Sequence, residues 1–267
     1  MLAVGTSLLS QLAPLQSGHR HARLQEIING MGDAFAGTLD QYEINTSLRI
    51  AHFLAQTAEE SDGFCTTEEY ASGRAYEGRL DLGNSHSGDG VLFKGRGLIQ
   101  LTGRANYAAV GKRLGLDLVS NPTDVNNPIV YLLVSCMFWQ HNKINVPADK
   151  GEILTVTQIV NGGQNGIDSR KAYLAKAKGL LAPLSAQAVT PPGGGLPVLY
   201  RGLSGDAVAN LQNLLSTVGY PLAVDGDFGP VTELAVKHFQ GTKGLVVDGI
   251  VGAATWVAIQ TVKAGGL

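Results

Sequence analysis

Cysteine is nearly absent: two in 267 residues are too few for a disulfide scaffold or a four-cysteine zinc site. Cys65 and Cys136 are both expected as free thiols, and Cys136 falls in an apolar run where a thiol packs as a small buried side chain. Long hydrophobic runs are also missing. The longest, Ile129 to Trp139, is interrupted by Ser135 and falls short of the roughly 20 residues that cross a bilayer, so no stable membrane insertion is expected. No charge of one sign dominates: 20 basic against 22 acidic side chains leave a net charge of −2, which offers no footprint for nucleic acid. The segment Met1 to Pro14 has no Lys or Arg and no small-residue cleavage site, and does not read as a secretory leader. Aromatics are scarce at 6%, whereas glycine fills 35 positions, well above the usual share of about 7%. Tight turns and close backbone approaches should therefore be frequent, while the 44% of apolar residues is ample for a core.

The uncharged stretch Pro183 to Pro197, with Pro191-Pro192-Gly193-Gly194-Gly195 at its centre, cannot sustain a helix or sheet and reads as a flexible linker, 183–197, between domains at 1–182 and 198–267. In the first part, Asn45-Thr46-Ser47 offers caps for a helix from about Leu48 to Ser61. Asn121-Pro122 and Asn127-Pro128 punctuate the start of another, running to about Trp139, and a third runs from near Thr155 to Asn161-Gly162-Gly163. Between Gly73 and Gly103 the pattern predicts loops or a small hairpin, where a binding cleft would be built. The second part contains an internal echo. Asp225-Gly226-Asp227-Phe228-Gly229-Pro230-Val231-Thr232 recurs in outline 23 residues later at Asp248-Gly249 to Thr255. With an amphipathic helix at Ala207 to Val218, this predicts three short helices around one small core.

Four acids, Glu59, Glu60, Glu68 and Glu69, cluster at the end of the first of these helices. At about 100° per residue, Glu60 falls within roughly 20° of Phe53 and so continues an apolar face, whereas Glu59 points to the His52 side. A carboxyl held against apolar surface keeps its proton and can serve as a general acid; a second carboxylate in a wetter setting, Glu68 or Glu69, can deprotonate a water. Two such groups suit glycoside hydrolysis.

The run Phe53 to Phe64 (FLAQTAEESDGF), with Glu69 to Arg79 (EYASGRAYEGR), Lys94 to Gly103 (KGRGLIQLTG) continuing to Asn106-Tyr107, and Val160-Asn161-Gly162-Gly163 with Arg170, resembles the catalytic region of glycoside hydrolase family 19, in the form seen in phage endolysins and bacterial chitinase-like enzymes. The resemblance implies Glu60 as general acid and Glu69, rather than Glu68, as the general base that activates the attacking water, with inversion at the anomeric carbon. It implies substrate-binding positions in which Gln100, Thr102 and Asn106 line the sugar cleft or hold the nucleophilic water, Asn161 and Arg170 orient substrate or the carboxylates, and Tyr107 and Tyr70 contact the glycan. One position departs: the family commonly has His immediately before its catalytic Glu, and this chain has Glu59. No metal and no cofactor is implied.

From Leu203 to Gly249 the pattern resembles the small peptidoglycan-binding module of cell-wall hydrolases. Its Asp225-Gly226-Asp227 turn lacks the downstream Glu of a calcium loop, and Trp256 reads as core. The expected architecture is mainly α: an α+β lysozyme-like catalytic domain with Gly-rich loops and at most a small hairpin, plus a small three-helix C-terminal domain. The expected partner is bacterial peptidoglycan, cleaved at β-1,4 bonds by a monomeric endolysin that waits in the host cytoplasm and reaches the wall through a separately encoded membrane pore. The rival readings are a chitinase, a lytic transglycosylase, which needs no second carboxylate, and a catalytically silent wall-binding protein. A zinc amidase lacks support, since His52, His86 and His141 show no ligand spacing.

Overall fold

The structure is a computed structural model and describes residues 4–32, 34–186 and 196–264. Among these, the chain forms α1 (Thr6–Leu12), α2 (Gly18–Met31), α3 (Ala34–Gln41), α4 (Ser47–Glu60), α5 (Asp89–Leu92), α6 (Arg104–Leu114), α7 (Pro128–His141), α8 (Asn145–Asp149), α9 (Ile153–Asn161), α10 (Ile167–Ala186), α11 (Asp206–Thr217), α12 (Pro230–Thr242) and α13 (Ala253–Ala264). Among the described residues the β-structure is limited to isolated bridges; Arg96–Leu101 makes a small hairpin within the Gly73–Gly103 zone, and Glu68–Arg96 extends it to the segment before that zone.

Two helices make the centre of the larger lobe. α7 is apolar on every side, and a helix without a polar face must be covered all round; Val130 through Met137, and Trp139, are buried. Its start is set by Asn127, whose Oδ1 accepts the Ile129 N–H at 3.0 Å, and by Pro128 in the first turn. The earlier signal, Asn121-Pro122, begins only a short 3-10 turn over Pro122–Asn126. Among the described residues no helix is long and apolar enough to cross a membrane. α4 begins at Thr46, whose Oγ1 accepts the Arg49 N–H at 3.2 Å, and it is buried from Ile50 to Ala58. Phe53 meets Trp139 edge to face, 5.3 Å between ring centroids. α10 lies along α4 in the most extensive helix pairing of the described residues. That pairing sets the C-terminal turn of α4 against the N-terminal turn of α10. Both cysteines are free and buried.

The expected linker begins too early at Pro183. α10 continues through Pro183 to Ala186, because the surrounding Ala and Leu are strong helix formers and Pro removes only one backbone donor. Residues 187–195 of that segment lie outside the described residues.

In the smaller lobe, α11, α12 and α13 enclose Leu211, Leu215, Phe228, Val236, Phe239 and Trp256. The echo seen in the sequence is a repeated hydrogen-bonding unit. Gln212 Nε2 donates to Asp225 Oδ1 (2.7 Å), Asp227 O (3.0 Å) and Thr232 Oγ1 (3.1 Å), while its Oε1 accepts the Gly226 N–H at 2.9 Å. Gln240 repeats the set on Asp248 Oδ1 (2.8 Å), Ile250 O (2.9 Å), Thr255 Oγ1 (3.3 Å) and the Gly249 N–H (2.9 Å). Each glutamine thus joins one helix to the turn that starts the next. Asp225 is spent in this unit, and Trp256, 3% exposed, is core and donates to Pro197 O at 2.7 Å.

The lobes touch. Val198, Tyr200 and Ile250 belong to the apolar core of the larger lobe, the Tyr42 and Tyr200 hydroxyls are hydrogen-bonded in the buried seam, and a Cβ at Gly252 would lie 2.8 Å from Ile129 Cγ1. The second lobe is therefore seated against α3 and the start of α7, not held by the linker alone.

Gln240→Ala would strip a buried carboxyl, N–H and hydroxyl of a partner, at about 1–3 kcal/mol for each group left unsatisfied. We expect it to destabilise the small lobe by about 2–3 kcal/mol. Gln212→Ala should cost less, because Asp225 is solvent-exposed. Chemical denaturation of the full-length variants checks both the loss and its order.

Candidate active site

Residues 61–103 join α4 to α6 with little regular structure, so their backbone groups need partners other than a helical ladder. Carboxylates supply many of them. Glu77 accepts the N–H groups of Gly88 (2.7 Å) and Gly90 (2.9 Å). Asp89 is fully buried; it accepts from Arg104 Nε and Nη2 at 2.9 and 2.6 Å and from the His86 N–H at 3.0 Å. The hydrogen bonds from Arg104 outweigh the penalty of burial and hold this carboxyl down at about 2. Glu68 is bound by Lys94 Nζ at 2.9 Å, Arg96 Nη2 at 3.3 Å and Asn126 Nδ2 at 3.1 Å. Burial opposes its ionisation, but the Lys94 hydrogen bond and the Arg96 charge win, and its carboxyl lies below the usual range. Glu68 is thus a structural anion that fixes the hairpin.

Glu69 differs from its neighbour. Its backbone N–H donates to Gly95 O at 2.9 Å, extending the bridge, and its Oε2 accepts the Gly95 N–H at 2.9 Å. Oε1 accepts from Tyr76 Oη at 3.2 Å. Burial, then the Glu69 charge beside it, pushes the Tyr76 phenol up, so that hydroxyl remains a donor. No cation pairs with the Glu69 carboxylate among the described residues. With no side chain at Gly95, both carboxamide and carboxylate can lie over its backbone: a Cβ there would sit 2.8 Å from Glu69 Oε2 and nearer still to Gln100 Oε1. The same fact places Gln100 beside Glu69.

Glu60 ends α4 with 16% of its side chain exposed. The expectation that apolar surface surrounds its carboxyl needs correction: Oε1 accepts from Arg170 Nη2 at 2.5 Å. Arg170, 2% exposed, is clamped in turn by Gln56 Oε1 (Nη1, 2.5 Å) and Asn165 O (Nε, 3.1 Å), and Gln56 Nε2 donates to Thr157 Oγ1 at 3.2 Å. A chain of side chains from α9 through α4 to α10 therefore sets the orientation of Glu60. Gln56 and Thr157 were not singled out in the sequence. Gln56 lies one turn before Glu60 on the same helix face, the single local signal that pointed to it. Glu59 faces α10 instead: its Oε2 accepts from Ser169 Oγ at 2.5 Å, and its Oε1 fills the space over Gly166.

Glu60 opens into a cleft of about 520 Å³ whose walls include Gln100, Thr102 and Asn106. Gln100 has a left-handed backbone (φ 39°), strained for a residue with a side chain, and donates from Nε2 to Gly97 O at 3.0 Å, leaving its buried Oε1 without a partner. Thr102 Oγ1 donates to Gln100 O at 2.9 Å and Asn106 Nδ2 to Thr102 O at 2.7 Å, so the three brace one another along the wall. Asn161 ends α9 next to Val160, which lines the cleft, and its Oδ1 is buried without a partner. Arg170 acts on Glu60 and does not line the cleft. Two expected substrate contacts are corrected. Tyr107 is wholly buried against Phe93, its Oη donating to Lys94 O at 2.8 Å and accepting from Arg96 at 3.2 Å, so it supports the hairpin from behind. Tyr70 is 74% exposed, donates to Asp62 Oδ2 at 2.7 Å, and is not a wall of the cleft.

The larger lobe is mainly helical, Glu60 opens into its cleft, Glu69 lies beside Gln100 of the cleft wall, and a small helical module follows, an arrangement of the kind a polysaccharide hydrolase with an accessory domain needs. The family model described as chitinase class I matches residues 26–159, and the chain belongs to glycoside hydrolase family 19. A peptidoglycan binding domain model matches residues 204–259. A glycosyl hydrolase family 19 domain-containing protein of Haemophilus influenzae is 32% identical over 181 residues, covering 55% of this chain and 88% of that protein. An endochitinase of Arabidopsis thaliana is 36% identical over 133 residues, covering 49% of this chain and 43% of its own. The zinc D-Ala-D-Ala carboxypeptidase of Streptomyces albus G is 46% identical over 70 residues, covering 24% of this chain and 27% of that one. The chain thus spans less than half the length of the last two relatives.

Asp89→Asn tests the ionic frame of the loops. Loss of a charged, buried hydrogen-bonding partner should destabilise the larger lobe by about 2 kcal/mol near neutrality. Folding lowers this carboxyl from its ordinary 3.8 to about 2. The stability it contributes is therefore complete above about pH 4 and is lost as the pH falls toward 2. Urea denaturation of wild type and variant should show the gap closing across that window.

Proposed function

We propose that the protein hydrolyses the β-1,4 bonds of bacterial peptidoglycan by a single inverting displacement, with Glu60 as general acid and Glu69 as general base. The observation that carries this reading is the position of Gln100: it shares a cleft wall with Glu60, and its Oε1 lies with the Glu69 carboxylate over Gly95, which supports a reading in which both carboxyls serve one groove. Glu60 donates to the glycosidic oxygen from the oxygen that Arg170 does not hold, and the guanidinium receives the negative charge that develops as the proton leaves. Glu69, hydrogen-bonded by Gly95 and Tyr76, takes a proton from the attacking water on the other face of the sugar. The unpartnered Gln100 Oε1 is available to orient that water. Glu68 is already neutralised by Lys94 and Arg96, which favours Glu69 as the base.

The carbohydrate backbone alone does not distinguish peptidoglycan from chitin; the peptidoglycan binding domain match at residues 204–259 supports the wall polymer. Seating of that module against the catalytic lobe means that wall binding also orients the cleft, beyond raising its local concentration. On this reading the protein acts as a monomeric endolysin on the wall after release through a membrane pore.

Glu60→Gln and Glu69→Gln should each lower turnover on purified sacculi about 10²–10⁴-fold. Wild type should release reducing-end sugars of inverted anomeric configuration, read by proton NMR of the early products. Anhydro-sugar products with full activity in Glu69→Gln would assign the transglycosylase reaction instead, and equal inertness of wild type and Glu60→Gln would assign a silent wall-binding protein.

A further inference from the structure

The cleft that holds Glu60 is walled mostly by apolar side chains and neutral amides. Apart from Glu60, Arg113 is the one carboxylate or guanidinium group that lines it among the described residues. Arg113 stands on the last turn of α6, and His141, on the last turn of α7, lines the same cleft. Helix C-termini favour cations, which accounts for a basic residue there but not for its presence on a cleft wall. Arg113 is solvent-exposed and pairs with no carboxylate among the described residues; its contact is Nη2 to Gln140 Oε1 at 3.4 Å, at the limit of a hydrogen bond. Most of its five donors face no acceptor. By contrast, Arg96, Arg104 and Arg170 are each bound to a carboxylate within the lobe.

Arg113 also adjoins the seam between the lobes. Its charge acts on the Tyr42–Tyr200 hydroxyl pair, and Gly115, at the end of the same helix, abuts Arg201 of the smaller lobe.

We infer that Arg113, with the His141 imidazole on the same cleft lining, is a carboxylate-binding position of the cleft that selects an acid-bearing glycan over a neutral one. This rests on the peptidoglycan reading above. Chitin carries no anion. Peptidoglycan bears carboxylates as the lactyl ether on alternate sugars, free where the peptide has been removed, and along the stem peptide. A guanidinium binds either source through paired, charge-assisted hydrogen bonds.

The test compares kcat/KM of full-length wild type, Arg113→Gln and Arg113→Lys on three soluble substrates: chitin hexasaccharide, peptide-free glycan oligomers with free lactyl groups, and glycan oligomers with intact stems. For Arg113→Gln, the ratio of kcat/KM on an acid-bearing oligomer to that on chitin hexasaccharide should fall about tenfold. Arg113→Lys, which keeps the charge but not the fork, should fall between. A fall confined to the peptide-free oligomers assigns the lactyl group; one confined to the stem-bearing oligomers assigns the peptide. An unchanged ratio, whether through equal losses on all three substrates or none, overturns the inference while leaving the peptidoglycan reading in place. Wild type that cleaves only the chitin oligomer overturns both.

Discussion

The structure depends on the clamp between the end of α4 and the start of α10. Two adjacent glutamates of α4 are held by two adjacent residues of α10, Glu59 by Ser169 and Glu60 by Arg170. Neighbours on a helix point about 100° apart, so one pair serves as an anchor while the other faces the cleft. Exposed pairs of this kind contribute little. This one is different because the Arg170 side chain is buried, and a guanidinium out of water must have its donors filled. Gln56, Asn165 and Glu60 accept from three of its five, and Thr157 orients Gln56. Displacing any one leaves a buried donor or acceptor open. The direction of the Glu60 carboxyl is thus set by the cost of every alternative, the usual way a site is preorganised.

The second glutamate is held by a different kind of structure. No helix carries Glu69; it sits on a strand-like bridge between loops that have little apolar surface to bury. Their shape comes from hydrogen-bonded anions: Glu77 at the surface on two glycine N–H groups, Asp89 buried on Arg104, and half-buried Glu68 on Lys94 and Arg96. Charged groups are costly to bury, yet their hydrogen bonds fix the direction of the backbone that carries Glu69. Tyr107 and Phe93 add a small apolar cluster behind the hairpin. The catalytic lobe accordingly pairs one carboxyl on a rigid buried helix with another on an ion-braced loop.

Much of this was legible because the signals are local. Asn127-Pro128 marks the start of α7, and the unbroken apolar run after it announces a helix covered on all sides. The Asp-Gly repeat marks two turns that prove to share one hydrogen-bonding scheme, and the helical phase of Glu60 separates it from Glu59. What escaped depends on distant partners. Thr157 lies 101 residues from Gln56, and no periodicity near either shows that they meet. α1 to α3 were left unread, although they carry Leu9, Ile28 and Phe35 into the core. Tyr107 and Tyr70 were misplaced because a motif match gives the residue but not the direction of its side chain. In this fold one tyrosine turns under the hairpin and the other toward Asp62.

The same reasoning accounts for Glu59, the position where the chain departs from its family's usual His. A second anion next to a catalytic acid would matter if both faced the same space. They do not: Glu59 takes no part in the cleft walls and lies over Gly166, at a place where a Cβ on that residue would collide with its carboxylate. Gly166 has φ 71°, a conformation that glycine adopts without strain, and the Ser169 hydroxyl completes the seat. A carboxylate there also lies at the N-terminal turn of α10, where the helix dipole favours a negative charge. The departure is therefore matched by a small residue, a hydroxyl and a helix end on the opposing element. Its consequence passes to the acid through position rather than through charge, since whatever holds the first turn of α10 also holds Arg170.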